Sequence, residues 1–477
     1  MKVLSCVIAN QTLKDIPNKY IRVIAGYPLI CYTMYSLKYC KYSSEVVAFT
    51  DSQRTVQVLD QYKYKHDCPG NIENYDWDIR ILIDSGYTLF YEDIFDKACE
   101  LLIENDYKYV YGNSYDGEHV FTIENKNGKG QSIFVLSKHD CFTIDKYKEF
   151  YSINPDPNLK VGFYVNGNNT RGLGHIYRTL DIADDFYNLP DIYYDINQTN
   201  ESMFGETSHK LIPVNGNDEL LKKCKEKQYT IFINDILQTP VEYMHNLRDV
   251  LPNAKIVNIE DDGPGSLLAD VVINALLYKN TNPKTYYGAN YYSGDESFVF
   301  YLKHDAREKV KNVFVSFGGA DPQNYTLRLL KIISSKKYKE FNFNVVAGKA
   351  NNSLQEIIKY NELPNINILF NVRNMAELMA KADIAISSRG SVCYELATMC
   401  VPTISIAQNG NEMKHHFISS ENGFYFIGLN PNDEVIEEAI DKYLYSAKEF
   451  RQELIDILKK LDLSHGRKRV MDLINFG

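Results

Sequence analysis

Three observations predict an α/β protein built on parallel sheets. Apolar Val3–Ile8 runs into a polar loop, a stretch of helical spacing and a second apolar run ending near Thr50, and the same scheme restarts at Val161 and again at Asn312. Strand, loop, helix, strand is the repeating unit of a parallel sheet, whose ligands gather at the C-terminal ends of the strands. Between the first two runs, Ser152-Ile-Asn-Pro-Asp-Pro-Asn158 breaks both periodicities with two prolines and polar residues, as a linker does. The 477 residues divide accordingly into 1–150, a linker at 151–159, 160–300 and 301–477.

Composition narrows the function classes. Apolar residues make up 44% and charged residues 24%, the balance of a soluble globular chain. A net charge of -10 without a long basic run argues against general nucleic-acid binding. Nine scattered cysteines without a C-x-x-C indicate neither a zinc site nor a disulfide framework, and their apolar neighbours suggest buried thiols in a reducing cytoplasm. The apolar run at the N-terminus is too short for a signal peptide, and no window of about 18 apolar residues suggests a membrane span.

In residues 1–150, Asn10 to Lys19 is a polar loop, and Gly26-Tyr-Pro-Leu-Ile30 opens a helix through about Cys40. The next strand, Glu45 to Thr50, ends at Asp51-Ser52. Ile8-Ala-Asn-Gln-Thr-Leu-Lys-Asp-Ile-Pro-Asn-Lys-Tyr-Ile21, Gly26-Tyr-Pro-Leu-Ile30 and Phe49-Thr-Asp-Ser52 together resemble the CMP-sialic acid synthetases. That family binds CTP with an Arg-Gly-Gly-Ser-Lys loop, and the resemblance places Lys14 and Lys19 on its lysines, a residual nucleotide site. Asn10, Gln11, Thr12 and Leu13 stand where the family has its Arg, two glycines and Ser. Losing the glycines closes the approach of a triphosphate to the backbone, and losing Arg removes a bidentate clamp. The family's Leu-Gln-Pro-Thr-Ser-Pro stretch is absent, and Cys141-Phe-Thr-Ile-Asp145 is a faint counterpart of its magnesium-holding Asp-Ile-Asp. The expectation is a shortened, degenerate cytidylyltransferase-like domain kept for packing, dimerisation or sugar binding. The alternative is an active CTP enzyme, and only that one would use magnesium.

In residues 160–300 the apolar Val161, Phe163 and Val165 lead into a Gly- and Asn-rich loop and then helical spacing. Gly172, Gly174 and His175 sit where loop becomes helix. Glycine there lets a ligand approach the backbone, free N–H groups attract an anion, and an imidazole moves protons at neutral pH. Thr230-Ile-Phe-Ile-Asn-Asp235, Lys255-Ile-Val-Asn-Ile-Glu-Asp-Asp262 and Asp270-Val-Val-Ile-Asn274 are further strands ending in polar residues. Such acids cap helices or solvate loops. In a cleft, Asp235 and Asp262 would instead bind sugar hydroxyls or a cation.

Residues 301–477 carry the strands Asn312 to Phe317, Phe343 to Ala347, Ile366 to Phe370, Ile384 to Ile386 and Val401 to Ile406. Asn374 is placed to cap a helix from Met375 to Lys381 with Glu377 at its third position. Glu434 to Leu463 reads as an amphipathic helix that braces the domains. Loops at 166–175, 318–321 and 387–391 all follow strands. Two nucleotide-fold domains with such loops bordering one cleft describe a GT-B-like pair of Rossmann-type domains, here preceded by a smaller nucleotidyltransferase-like α/β domain. Glu395, one turn into the helix after 387–391, suits a bidentate grip on ribose hydroxyls, or is simply a first-turn acid favoured by the helix dipole.

Gly172-Leu-Gly-His-Ile-Tyr-Arg178, Val315-Ser-Phe-Gly-Gly-Ala-Asp-Pro322, Asn374-Met-Ala-Glu-Leu-Met379, Ile386-Ser-Ser-Arg-Gly-Ser-Val-Cys-Tyr-Glu-Leu-Ala397 and Asn409-Gly-Asn-Glu412 carry a second resemblance. Residues 160–477 resemble the UDP-2,4-diacetamido-2,4,6-trideoxy-β-L-altropyranose hydrolases of pseudaminic acid synthesis. The resemblance implies His175 as the catalytic group that activates or orients water. It implies contacts to a UDP-activated amino sugar from Asn166, Gly172, Gly174 and Arg178. Gly318 and Gly319 would border the diphosphate together with Ser388, Gly390 and Ser391, Glu395 would hold the ribose, and Asn411 and Glu412 would reach the sugar. No cofactor or metal is required. The family's Arg-x-Asp is Tyr164-Val-Asn166 here, and Asn166 cannot act as a base. The expected activity is release of UDP and a free acetamido-deoxy sugar in nonulosonic acid synthesis, by a cytoplasmic protein that is a possible homodimer. The alternatives are a UDP-sugar-dependent glycosyltransferase of surface polysaccharide synthesis and a non-catalytic nucleotide-sugar binder.

Overall fold

A computed structural model describes residues 1–477 except 13, 25, 85, 90–92, 138–140, 157, 168–173, 206, 277–282, 302–304, 320, 349–350, 371 and 373. The chain forms two compact units: Met1–Leu159 with Ala183–Asp191 and Phe204–Leu211, and Lys160–Ile182 with Ile192–Met203 and Ile212–Gly477. The two short segments that join the first unit come from the stretch the sequence assigns to 160–300.

The first unit is a seven-stranded mixed sheet. From edge to edge its strands are Gln131–Val135, Tyr109–Asn113, His119–Asn125, Ile79–Asp84, Val3–Ile8, Glu45–Phe49 and His66–Asp67. Val3–Ile8 pairs in parallel with both neighbours, whereas His119–Asn125 is antiparallel to both of its own. The helices Leu29–Lys38, Gln53–Gln61 and Ile94–Glu104 supply the apolar layer against the sheet through Met34, Leu59 and Phe95. Ser52 caps the second of these, its hydroxyl accepting from the Thr55 N–H, which is why the strand ends where Asp51-Ser52 stands.

The second unit contains two sheets of like topology. Numbering strands within each sheet by chain order, the first runs 3-2-1-4-5-6-7, from Lys210–Val214 through Asp191–Asp195, Val161–Val165, Ile231–Asp235, Lys255–Ile259 and Val271–Asn274 to Thr285–Tyr287. The second runs 3-2-1-4-5-6 over Ile366–Leu369, Asn342–Val346, Asn312–Ser316, Ile384–Ser388, Thr403–Ala407 and Phe424–Leu429, with every pair parallel. Both are Rossmann orders, so the unit is a GT-B-like pair of Rossmann-type lobes. All five residues of Val161–Val165 are buried, as a parallel strand covered on both faces requires.

The bracing helix differs from the sequence expectation. Residues 434–463 divide into Asp433–Leu444 and Lys448–Lys460, because Tyr443 and Leu444 bury in one apolar cluster while Ile455 and Leu458 bury in another. A third helix, Gly466–Phe476, does the bracing: Lys255 of the first lobe donates to the carbonyls of Leu473 (2.5 Å) and Ile474 (2.9 Å), and Arg467 donates to the Asp181 carbonyl. Of the described cysteines, seven are buried and Cys68 is exposed, contrary to the expectation of buried thiols; it stands between the two-residue edge strand His66–Asp67 and the 3-10 helix Pro69–Asn74. No helix among the described residues is long and apolar enough to cross a membrane.

Candidate functional site

In each lobe, the strand order reverses between strands 1 and 4, and that switch point is where α/β sheets bind ligands. In the first lobe these strands are Val161–Val165 and Ile231–Asp235, paired so that Val165 lies opposite Asp235. The loop after Val165 includes Gly172, which lies outside the described residues. Gly174 opens the Gly174–Ala183 helix and is exposed, and among the described residues nothing stands within 4 Å of where a Cβ would be.

His175 follows, with 7% of its surface exposed, and its ring is held by polar contacts. Its Nδ1 lies 2.5 Å from Asp235 Oδ1, the last residue of strand 4. Arg178, one turn on, donates from Nε to Asp235 Oδ2 (2.9 Å) and from Nη2 to Oδ1 (2.6 Å), while its Nη1 donates to Glu260. Arg178 Nη2 is also 2.9 Å from His175 Nδ1. An N–H donor cannot donate to another, and a bare nitrogen 2.5 Å from a carboxylate oxygen would be repelled. The short contact therefore puts the proton on Nδ1, donated to Asp235, and leaves Nε2 for proton transfer.

The charges reinforce this reading. Burial works to lower the His175 pKa, yet the charge of Asp235 and the hydrogen bond to it outweigh burial and raise it above 6.5. Burial opposes ionisation of Asp235, but Arg178 and His175 hold its carboxyl below the usual carboxylate value. Because the folded-state pKa of His175 is raised, its stabilisation is fully present below the unfolded value near 6.5 and is lost as pH climbs through the folded value. The stability of wild type minus that of His175→Gln, measured by urea denaturation, is accordingly expected to be largest near pH 6 and to shrink towards pH 9. A difference that stays flat over that range would mean no coupling to Asp235.

Glu260 completes the cluster at the end of Lys255–Ile259. Its φ is 53°, a left-handed conformation that costs a non-glycine residue energy and is held by the Glu260 N–H bond to Ile273 O at 2.7 Å. Of the three acids that end this strand, Asp261 is fixed by Thr239 and Asn258, and Asp262 is exposed. Asn166 is buried, and its side-chain oxygen accepts from the Asp195 N–H at 2.9 Å, fastening strand 1 to strand 2. The sequence reading offers Asp235 as a strand-end acid or a ligand for sugar hydroxyls or a cation, not as the partner of His175, and gives Glu260 no role of its own. The signal available was their position after strands 4 and 5, one helix turn of reach from Arg178.

In the second lobe, Gly318 follows strand 1 with φ 79°, a value that favours glycine. Gly348 approaches so closely that a Cβ would come within 2.2 Å of the Gly319 carbonyl, and the sequence reading had not singled it out. Asp321 accepts from the N–H groups of Tyr325 (2.9 Å) and Thr326 (2.8 Å), capping the Tyr325–Ile333 helix. Strand 4 ends at buried Ser388, Gly390 caps the Ser391–Thr398 helix, and Ser391 opens it on the exposed side. Glu412 accepts from the Gln408 N–H at 2.7 Å, and burial raises its pKa; exposed Asn411 accepts from Lys414 at 3.2 Å. The expected cap at Asn374 is present, accepting from the Glu377 N–H at 3.1 Å.

Groups from both lobes act on one phenol. Burial pushes Tyr292 well above its ordinary pKa, and so do Glu395 of the second lobe and Glu260 of the first, against the pull of Arg178. Tyr292 stacks on Tyr394, with ring centroids 4.9 Å apart, and Tyr394 stacks on Phe417 at 4.8 Å. Burial, then the charge of Asp295, pushes the Glu395 carboxyl up to about 7. In the first unit, Lys14 is exposed, whereas Lys19 is 5% exposed with its ammonium 3.4 Å from Asp145.

No protein-family model matches the chain. It is similar to an uncharacterized protein, MJ1062, of Methanocaldococcus jannaschii, 28% identical over 275 residues that cover 53% of this chain and 56% of that protein. The match thus spans little more than half the length of that relative. It is also similar to the spore coat polysaccharide biosynthesis protein SpsG of Bacillus subtilis, 26% identical over 268 residues, covering 52% of this chain and 78% of that protein. Among solved structures it is similar to MurG of Acinetobacter baumannii, with a TM-score of 0.48 and 13% identity over 66% of this chain and 99% of that one.

Proposed function

We propose that residues 160–477 cleave a UDP-activated amino sugar by attack of water, with His175 as general base. The reading is carried by one observation: an imidazole at the first-lobe switch point whose Nδ1 is anchored 2.5 Å from a buried carboxylate. Water forms a bond to the anomeric carbon and gives a proton to Nε2, while the bond from that carbon to the diphosphate oxygen breaks and UDP leaves with the electron pair. The N–H groups at 318–319 and at the start of the Ser391–Thr398 helix would receive the charge that develops on the diphosphate. The similarity to a spore coat polysaccharide biosynthesis protein supports a role in making surface glycans. Incubation with a panel of UDP-amino sugars without acceptor is expected to yield UDP and free sugar in equal amounts by mass spectrometry. UDP that appears only when an acceptor sugar is added would overturn hydrolysis.

That outcome would favour the second reading, a glycosyltransferase. Its support is Asn166: where the hydrolases carry an acid, this chain has an amide whose oxygen is tied to Asp195. The remaining His175–Asp235 pair deprotonates a sugar hydroxyl as well as water.

Glu395 supplies a binding prediction. A carboxylate gripping both ribose hydroxyls works as the anion, and this carboxyl titrates at about 7. UDP affinity measured by calorimetry is expected to rise about tenfold from pH 6 to pH 8, and Glu395→Gln is expected to flatten the profile. For the first unit we propose a non-catalytic role, because the buried Lys19 ammonium already stands 3.4 Å from the half-exposed Asp145 carboxylate. Titration with CTP and magnesium is expected to give no binding heat.

A further inference from the structure

In the second lobe, strand 4 lies between strands 1 and 5, so a side chain that joins those two must cross its C-terminal end. Gln408 makes this crossing. It follows strand 5, Thr403–Ala407, and its Nε2 donates at 2.9 Å to the carbonyl of Phe317, the residue after strand 1. The carboxamide therefore lies across the switch point, on the floor of the crevice where an α/β sheet takes its ligand.

Two bonds fix its place. The Gln408 N–H donates to Glu412 Oε2 at 2.7 Å, which holds the backbone. A carbonyl can only accept, so the end of the carboxamide that faces Phe317 is the NH2, and Oε1 is the end left over. Gln408 is 4% exposed, yet among the described residues Oε1 has no hydrogen-bond partner. An amide oxygen closed off from water without a donor is costly, and a ligand N–H or O–H beside it removes that cost.

The diphosphate is not that donor, because its oxygens only accept at neutral pH. The sugar is next to it. A Cβ on Gly390, the cap of the helix assigned to the diphosphate, would stand 3.6 Å from Ser388 Oγ and 4.0 Å from Glu412 Oε1. Gln408 thus reaches the ligand beside Glu412, on the side given to the sugar, whereas Glu395, the group given to the ribose, lies further along the helix. We infer that Gln408 determines specificity by accepting at Oε1 a hydrogen bond from a hydroxyl or an acetamido N–H of the sugar ring. This rests on the reading of the lobe as a UDP-sugar site.

Calorimetry on the full chain with UDP, UDP-N-acetylglucosamine and UDP-glucose tests it, the quantity read being sugar-nucleotide affinity relative to UDP affinity. Gln408→Met keeps the length of the side chain and removes the acceptor. It is expected to weaken UDP-N-acetylglucosamine about tenfold and to leave UDP within about twofold. A matching loss with UDP-glucose assigns a hydroxyl as the donor, and a loss confined to UDP-N-acetylglucosamine assigns the acetamido N–H. Gln408→Glu keeps an oxygen in place and is expected to hold the ratio within about threefold of wild type, even where its charge weakens all three ligands. Equal loss of UDP and both sugar nucleotides in Gln408→Met would make the residue a brace for the fold and overturn the inference, as would an unchanged ratio. Failure of wild-type protein to bind any of the three would instead overturn the proposed function, and this inference with it.

Discussion

Replacing His175 with alanine is expected to slow UDP release by about 10²–10⁴-fold, the range of a positioned general base, and to leave UDP-sugar affinity within a few-fold of wild type. The two effects separate because of where the ring is anchored. His175 touches Asp235 and Arg178, whereas the groups assigned to the nucleotide stand on the loops and helix of the second lobe. Removing the imidazole takes away the proton acceptor and leaves the diphosphate loops intact. Asp235→Asn tests the same arrangement from its other end. An amide cannot hold Nδ1–H as a charged acceptor does, so the His175 pKa should fall and the acid limb of the rate profile should move to lower pH, with a lower plateau. Single-turnover rates across pH 5–9 for wild type and Asp235→Asn would show the shift. Unchanged release from His175→Ala would remove this residue from the mechanism.

The sequence made the strand-loop-helix rhythm legible because parallel strands covered on both faces are largely apolar, with polar residues kept to their C-terminal ends. Val161–Val165 and Ile231–Asp235 are buried end to end, and both stand out as runs. The mixed half of the first unit was harder to see. In Gln131–Val135, exposed and partly buried residues alternate at a sheet edge, with Ile133 and Val135 on the exposed side, so no core pattern marks it. Within the site, His175 could be picked out because its glycine neighbours announce a helix start. Asp235 lies 60 residues away in sequence, and its role depends on strand 4 pairing beside strand 1, a fact of topology that local pattern does not contain. Gly348 was hidden for the same reason: its lack of a side chain is required by Gly319 on another strand's loop.

The second large effect is on the fold. Arg178→Met is expected to reduce unfolding free energy at pH 7 by about 3–5 kcal/mol, the usual result of removing one partner from a buried charge cluster. Arg178 supplies bonds to two carboxylates at once, and the Asp235 side chain is wholly buried. Without the guanidinium, Asp235 retains, among the described residues, His175 and a 3.4 Å contact with the Thr179 hydroxyl, and Glu260 keeps a strained backbone without its ion pair to Arg178. The sign of the pH dependence follows from Asp235. Its folded-state pKa is depressed below 3.8, so the stability it contributes is present above that value and lost as pH falls through the depressed one. The deficit in Arg178→Met should therefore be greatest at neutral pH and shrink below about pH 4, where the freed carboxylates take up protons. Urea denaturation at pH 7 and pH 3.5 measures both quantities. A deficit below about 1 kcal/mol at pH 7 would place the cluster in the class of exposed ion pairs. Arg178→Lys should recover only part of the loss, because one ammonium cannot span both carboxylates as the planar fork does. If the same lysine variant also slows UDP release, the clamp that stabilises the lobe is what holds Asp235 in place to orient His175.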